Sequence, residues 1–294
     1  KTSPDRSARP PMTALDLCTA WPVPTAAGAV MQGGSVVSSH GDVDATFRLA
    51  SLSKPMTAWA ALVAVEEGII DLDAVIDERF AGQSGCTLRH LLSHAGGYGF
   101  MGTEPIAAPE RTRTYSNGGV ELAAAWVESC AEMPFAEYLS LAVFEPLGMT
   151  SAELIGSPAY GVWAAVDDVV RFLAEARAPR LLASNTADET VRVQFPALGG
   201  TVPGVGRYDR CPWGLGFEIR GDKSPHWTGT RNDPATYGHF GGAGTMMWTD
   251  PAADVSLVAL TDRPFDQWSG DALRLWPELS DAVLDEFAIT ESVN

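Results

Sequence analysis

The order of local patterns along this chain (strands, then helices, then strands, then a helix) limits its folds more than any other feature. Extended patterns occupy residues 26–31 and 35–39, and Gln32-Gly33-Gly34 between them has the chemistry of a hairpin turn. A third extended stretch, Thr46-Phe47-Arg48-Leu49, follows. From about residue 71 to 189 strand signals are weak; residues 88–94, 119–130, 135–144 and 166–177 fit helices, punctuated by Pro134, Pro146 and Gly148. Strand patterns return at 214–221, 236–239, 245–249 and 255–261, with Asp250-Pro251-Ala252-Ala253-Asp254 turning between the last two. Helices are also expected over 12–21, over 53–67 with its end at Gly68, and over 271–287, broken or kinked at Pro277. That order suggests a sheet completed by both ends of the chain. The pattern therefore predicts a sheet domain from residues 1–50 and 205–294, with residues 51–204 inserted as a helical subdomain.

Composition narrows the function. At 294 residues the chain suits one large domain or two that interlock. A net charge of −17 argues against a nucleic-acid partner, which calls for a basic stripe, and reads as a solubility feature. No apolar run approaches the roughly 20 residues that cross a bilayer, so no membrane span is expected. The start does not read as a signal peptide, and the cytoplasm is favoured over a secreted or processed form. Cys18, Cys86, Cys130 and Cys211 form no C-x-x-C pair; they read as buried thiols, with disulfide pairing and oligomeric state left open. No H-E-x-x-H spacing is present and Gly214-Leu215-Gly216 is too short for a dinucleotide fingerprint, so neither metal nor cofactor is expected.

The chemistry concentrates at Ser51-Leu52-Ser53-Lys54. Lysine occurs only at positions 1, 54 and 223, and Lys54 stands one turn after Ser51 at the head of an apolar helix. Residues i and i+3 share a helix face, so a neutral amine there can take the hydroxyl proton. Chance alone gives about 0.2 such serine–lysine matches in a chain of this composition, and an N-cap serine beside a snorkelling lysine is the bland reading. Two further segments shift the balance by their order. Tyr115-Ser116-Asn117-Gly118-Gly119 alone is a turn, and His239-Phe240-Gly241-Gly242-Ala243-Gly244 alone is a Gly-rich bend.

Taken together, these segments resemble the serine β-lactamase and penicillin-binding-protein superfamily, nearest the branch of class C β-lactamases, D-stereospecific peptidases and β-lactamase-fold esterases. The likeness covers most of the chain. It includes the nucleophile segment from Phe47 to Lys54, the run from Leu88 to Gly97, Tyr115-Ser116-Asn117 as the Tyr-x-Asn motif, Phe144-Glu145-Pro146-Leu147-Gly148-Met149, and His239-Phe240-Gly241 in the place of Lys-Thr-Gly. It implies an α/β plus all-α fold of the β-lactamase/DD-peptidase kind. Such a fold has an antiparallel sheet from both chain ends, flanked by helices, with an inserted helical subdomain and the active site at their junction. The chain is shorter than most class C relatives, so the loops that shape the pocket are reduced.

The resemblance also implies roles. Ser51 is the nucleophile of an acyl-enzyme; Lys54 and Tyr115 share its proton, with the formal base left open between them. Asn117 holds the acyl side, and the backbone N–H groups of Ser51 and Gly242 form the oxyanion hole. Asn117, His239, Gly241 and Gly242 are thus the expected substrate contacts. His239 departs from the family's usual lysine: histidine is mostly neutral at pH 7, which favours uncharged acyl groups over carboxylate-bearing β-lactams or D-Ala-D-Ala ends. Arg113 and Arg231 are candidates to replace the missing charge. His90 and His94 read as packing and capping groups; Tyr98, Phe100, Trp213 and Trp227 read equally as pocket lining or plain packing. The leading expectation is a serine hydrolase of esters or amides with small acyl groups. The alternatives are a β-lactamase or D-Ala-type carboxypeptidase or D-aminopeptidase, and a catalytically silent binding protein of the same fold. The expected partner is a small-molecule ester, amide or β-lactam.

Overall fold

A computed structural model describes residues 13–288 of the chain. β1 (Ala26–Gln32) and β2 (Ser35–His40) form the hairpin, turning at Gly33 and Gly34, whose positive φ values of 58° and 80° suit a two-residue loop of this twist. β3 (Phe47–Arg48) runs through a 3-10 turn, Ala50–Leu52, into α1 (Ser53–Glu66). The middle of the chain holds α2 (Glu78–Ala81), α3 (Leu88–Leu92), β4 (Arg113–Thr114), α4 (Asn117–Ala131), α5 (Phe135–Leu139), α6 (Glu145–Leu147), β5 (Glu153–Leu154) and β6 (Val162–Ala164). Then come α7 (Val166–Arg177), α8 (Ser184–Val191), β7 (Gly200–Val202), β8 (Gly206–Tyr208), β9 (Glu218–Ile219), β10 (Tyr237–Gly241), β11 (Thr245–Asp250), β12 (Val255–Thr261) and α9 (Ser269–Phe287).

The main sheet is antiparallel, in the order β2-β1-β12-β11-β10-β9. β1 pairs with β12 from Ala26↔Thr261 to Gln32↔Val255, so both chain ends do complete one sheet. Alternation along its strands assigns the two faces. Ala27, Ala29, Met31, Met247, Val258 and Leu260 face a core shared with α1, α7 and the helical block. Val30, Met246, Trp248, Leu257 and Ala259 face a second core closed by α9 and the 3-10 helix Ala14–Ala20. Because α1 lies between the sheet and the helical block, it is apolar nearly all round, from Met56 through Trp59 to Ala64. Full burial of a side chain such as Leu62 or Phe172 contributes about 2–3 kcal/mol.

Several elements differ from the sequence pattern. The helix expected over 12–21 is the 3-10 helix Ala14–Ala20, and residue 12 lies outside the described residues. The strand expected at 214–221 shrinks to β9, because Gly216, at φ 91°, turns the chain against α1, where an added β-carbon would stand 2.6 Å from Ala58 Cβ. β4, β5 and β6 occupy the stretch that lacked strand signals; two or three residues are too few to show alternation. Pro146 does not interrupt the helix after α5, which continues through a π turn, Ser140–Phe144, and α6 to Gly148. Nor does Pro277 break α9: Ala272, Trp276, Leu279 and Val283 bury its apolar face, which outweighs the roughly 3 kcal/mol cost of an interior proline. The four cysteines are free thiols; burial raises Cys18 to about 12. No helix among the described residues is long and apolar enough to cross a membrane.

Candidate active site

Ser51 lies in the 3-10 turn Ala50–Leu52 that follows β3, and its neighbours hold that turn from both sides. Ala50 adopts φ 49°, a left-handed conformation that costs an L-residue about 1–2 kcal/mol. Thr245 Oγ1 on β11 donates to Leu49 O at 2.8 Å, which ties the central sheet to the residue before Ala50. Gly241 closes the seam: a β-carbon there would lie 2.5 Å from Leu49 O and 2.4 Å from Thr245 Oγ1. On the helical side, Ser53 Oγ donates to Ala50 O (2.6 Å) and accepts from Val162 N–H (3.0 Å).

Lys54, in the first turn of α1, is wholly buried, and its Nζ has three oxygens around it. Asn117 Oδ1 lies at 2.6 Å, Ala159 O at 2.9 Å and Ser51 Oγ at 3.0 Å. Burial pushes the ammonium well below its ordinary range, opposed only in part by Glu121. Tyr115 and Ser51 line the same chamber, and the Tyr115 ring lies 4.7 Å from Lys54 Nζ. Burial raises the phenol above its usual range, so it keeps its proton. Asn117 begins α4 with Ser116 as N-cap; its Nδ2 donates to Met101 Sδ at 3.3 Å.

An aromatic cage surrounds Tyr115. Its ring packs on His94 (4.7 Å between centroids), Trp213 (5.8 Å), His239 (5.8 Å) and Phe100 (6.0 Å). His94 Nδ1 accepts the Ser116 N–H at 3.1 Å, which places the proton on Nε2. His239 Nδ1 donates to Phe240 O at 2.7 Å, which leaves Nε2 a lone pair with no partner among the described residues. Burial, and then the Lys54 charge, lower His239 to about 3, so the imidazole is neutral across the whole physiological range. A neutral imidazole supplies no fixed positive charge for a substrate carboxylate.

Behind Trp213 lies a buried polar cluster that the sequence did not announce. Glu218 accepts from Lys223 (2.9 Å), His226 Nε2 (3.1 Å) and Trp227 Nε1 (2.8 Å). Burial alone would raise this carboxyl, but Lys223 and His226 hold it far below the carboxylate range. Lys223 also bonds Ile219 O and Pro212 O and stands 5.8 Å from the Trp213 ring, which fixes that wall of the site.

Ser51 opens into a chamber of about 350 Å³, walled by Phe100, Tyr115, Trp213, Phe240 and Phe265, with Gly242 and His239 at its base. Val202 and Pro203, from the β7–β8 hairpin, complete it, and the carboxylate of Asp266 is at its rim. No lysine or arginine lines it among the described residues. Gly242 itself is uncrowded: an added β-carbon would meet no atom within 4 Å. The structure thus gathers Ser51, Lys54, Tyr115, Asn117, His239, Gly241 and Gly242 at one place. Phe100 and Trp213 line the chamber, but Tyr98 is buried with its hydroxyl on Ala81 O, and Trp227 points to Glu218. Neither arginine suggested as a substitute cation reaches the chamber. Arg113 is buried and bonds the carbonyls of Ser93, Gln194 and Phe195, and Arg231 pairs with Asp285 at the surface.

A Beta-lactamase family model matches residues 16–276. The chain therefore belongs to the Beta-lactamase family, and its fold is that of the family's serine hydrolases. Among solved structures, it is similar to a beta-lactamase from Mycobacterium bovis, with 43% identity and a TM-score of 0.89 over 94% of this chain and 100% of that one. EstCE1, described as a hydrolase with promiscuous acyltransferase activity, shares the fold at 19% identity and a TM-score of 0.76, over 92% and 96% of the two chains. Penicillin-binding protein 4* of Bacillus subtilis is 30% identical over 37% of this chain and 30% of that protein. A putative D-alanyl-D-alanine carboxypeptidase of Escherichia coli is 26% identical over 53% and 46%. The chain thus matches less than half the length of these curated relatives.

Proposed function

We propose that this chain hydrolyses esters, or amides with small acyl groups, through a covalent acyl-enzyme on Ser51. The observation that carries this reading is the set of partners around Lys54. A neutral amine has two N–H donors and one lone pair. Asn117 Oδ1 and Ala159 O take the donors, so the lone pair is left for the Ser51 hydroxyl, whose proton it accepts as Oγ attacks the carbonyl carbon. The N–H groups of Ser51 and Gly242 receive the developing oxyanion. Tyr115, kept as a phenol, passes a proton to the departing oxygen or nitrogen as its bond to carbon breaks, and is reprotonated from Lys54. Water then attacks the acyl carbon and releases Ser51. This reading assigns the base to Lys54 rather than Tyr115, because burial favours the neutral form of both.

The uncharged His239 and the aromatic walls favour a neutral, apolar leaving group, hence esterase activity. A β-lactamase or D-peptidase reading draws on the names of the relatives and on one feature here. A neighbouring cleft that shares Phe100, Tyr115 and Pro203 with the chamber is lined by Arg207 and Arg113, the cations nearest at hand for a leaving-group carboxylate. The test is hydrolysis of p-nitrophenyl butyrate and nitrocefin at neutral pH by wild type and Ser51→Ala. Ester turnover that falls at least about 10³-fold in the variant supports the reading. Nitrocefin turnover without ester turnover favours the second, and undiminished activity of Ser51→Ala refutes both.

A further inference from the structure

Two cavities meet at Gly242. One is the aromatic chamber; the other, of about 420 Å³, lies across the seam where Gly241 packs on Leu49 and Ala50. Phe47, Arg48 and Trp163 wall this second cavity, and Ala243 and Thr261 border it. Gly242 lines both, and a side chain is absent there, with no atom within 4 Å of where its β-carbon would stand.

An acyl-enzyme needs a place on either side of the carbonyl carbon, one for the leaving group and one for the acyl chain. Tyr115, the proposed proton donor to the leaving group, lines the aromatic chamber, so the leaving group belongs there. The acyl chain then runs past Gly242 into the second cavity. Arg48 borders that cavity. About half of the described arginines pair with carboxylates, Arg89 and Arg177 among them, whereas Arg113, Arg207, Arg220 and Arg263 do not. Arg48 makes no such pair among the described residues; its Cζ lies 5.9 Å from the Tyr160 ring, and on the strand pair β3–β6 it stands opposite Trp163, which is 38% exposed. Asp262 also borders the cavity, with its carboxylate engaged by the Thr25 N–H at 2.9 Å.

We propose that this second cavity is an acyl subsite in which Arg48 selects acyl chains ending in a carboxylate. The preferred substrates are then monoesters or monoamides of dicarboxylic acids with an apolar leaving group. The proposal rests on the Ser51 acyl-enzyme reading and adds the substrate class to it. Arg48 acts as a specificity-determining residue, through a charge-assisted pair in a partly exposed site, so its effect should weaken with salt.

The experiment compares p-nitrophenyl hydrogen adipate with p-nitrophenyl hexanoate, which share a six-carbon acyl chain and differ in the terminal carboxylate. The quantity read is the ratio of their kcat/KM values. The ratio should fall about tenfold in Arg48→Gln, further in Arg48→Glu, and return in Arg48→Lys, with the wild-type ratio shrinking at high salt. A ratio equal in all four proteins overturns the subsite while leaving the esterase reading intact. If no ester is turned over, that reading fails, and the subsite is tested by binding alone. Monomethyl adipate and methyl hexanoate are then titrated into Ser51→Ala with and without Arg48→Gln, and binding is followed by isothermal titration calorimetry. Arg48-dependent preference for the adipate supports the subsite, and equal affinities refute it.

Discussion

Gly241→Ala should damage this protein far more than Gly242→Ala, although the two residues are neighbours. At Gly241 the new methyl would stand 2.4 Å from Thr245 Oγ1, 2.5 Å from Leu49 O and 3.2 Å from Ala50 Cβ. It would wedge apart the hydrogen bond between the first two, which is 2.8 Å long. Overpacking a tight site costs about 1–3 kcal/mol, and the lost bond about 1 kcal/mol more, so a destabilisation of about 2–4 kcal/mol follows. The strained Ala50 and the Ser51 hydroxyl lie on the displaced segment, and a misplacement of about 1 Å at a reacting group costs about 10²-fold in rate. At Gly242 the methyl would meet nothing within 4 Å, so stability should stay within about 0.5 kcal/mol of wild type. Urea denaturation gives the stabilities, and p-nitrophenyl butyrate kcat/KM the activity. Wild-type stability and activity in Gly241→Ala, or equal stability losses in the two variants, would refute the account of this seam.

Two other outcomes follow from buried titratable groups. His239 takes up a proton at about 3 when folded and at about 6.5 when unfolded, so between those values the unfolded chain binds more protons and stability falls as pH falls. At 1.36 kcal/mol per pH unit the loss from this residue reaches about 3 kcal/mol by pH 4; the drop in urea midpoint from pH 7 to pH 4 should be smaller in His239→Phe, and an equal drop would contradict the assignment. Lys54→Arg should lower kcat/KM by about 10²–10⁴-fold, because a guanidinium cannot shed its proton to become a base. Wild-type ester turnover by that variant would remove Lys54 from the base role.

Much of the frame was legible because local chemistry encodes it. The hairpin at Gly33-Gly34, the apolar run that became β12, and the amphipathic period that bounds α7 at Val166–Arg177 are short-range patterns. Local patterns failed where distant packing overruled them. Gly216 bends away from a strand to fit against Ala58, and Pro277 stays inside a helix because Trp276 and Leu279 are buried on both sides of it. The candidate site divides in the same way. Ser51 and Lys54 share a face by spacing alone, whereas the chamber around them is assembled from Phe100, Val202, Trp213 and Phe265, whose approach no local rule foretells.

The order of residues specified which groups are available: a serine one turn before a lysine, a tyrosine and asparagine on one motif, and a histidine at position 239. Tertiary packing set their ionisation and their reach. Burial makes Lys54 a candidate base and His239 a neutral wall, confines Arg113 to backbone carbonyls, and leaves Arg48 facing a cavity. Residue identity sets what a group can donate or accept, but the cost of charging it depends on the surroundings that remove it from water, and only the packed fold supplies those.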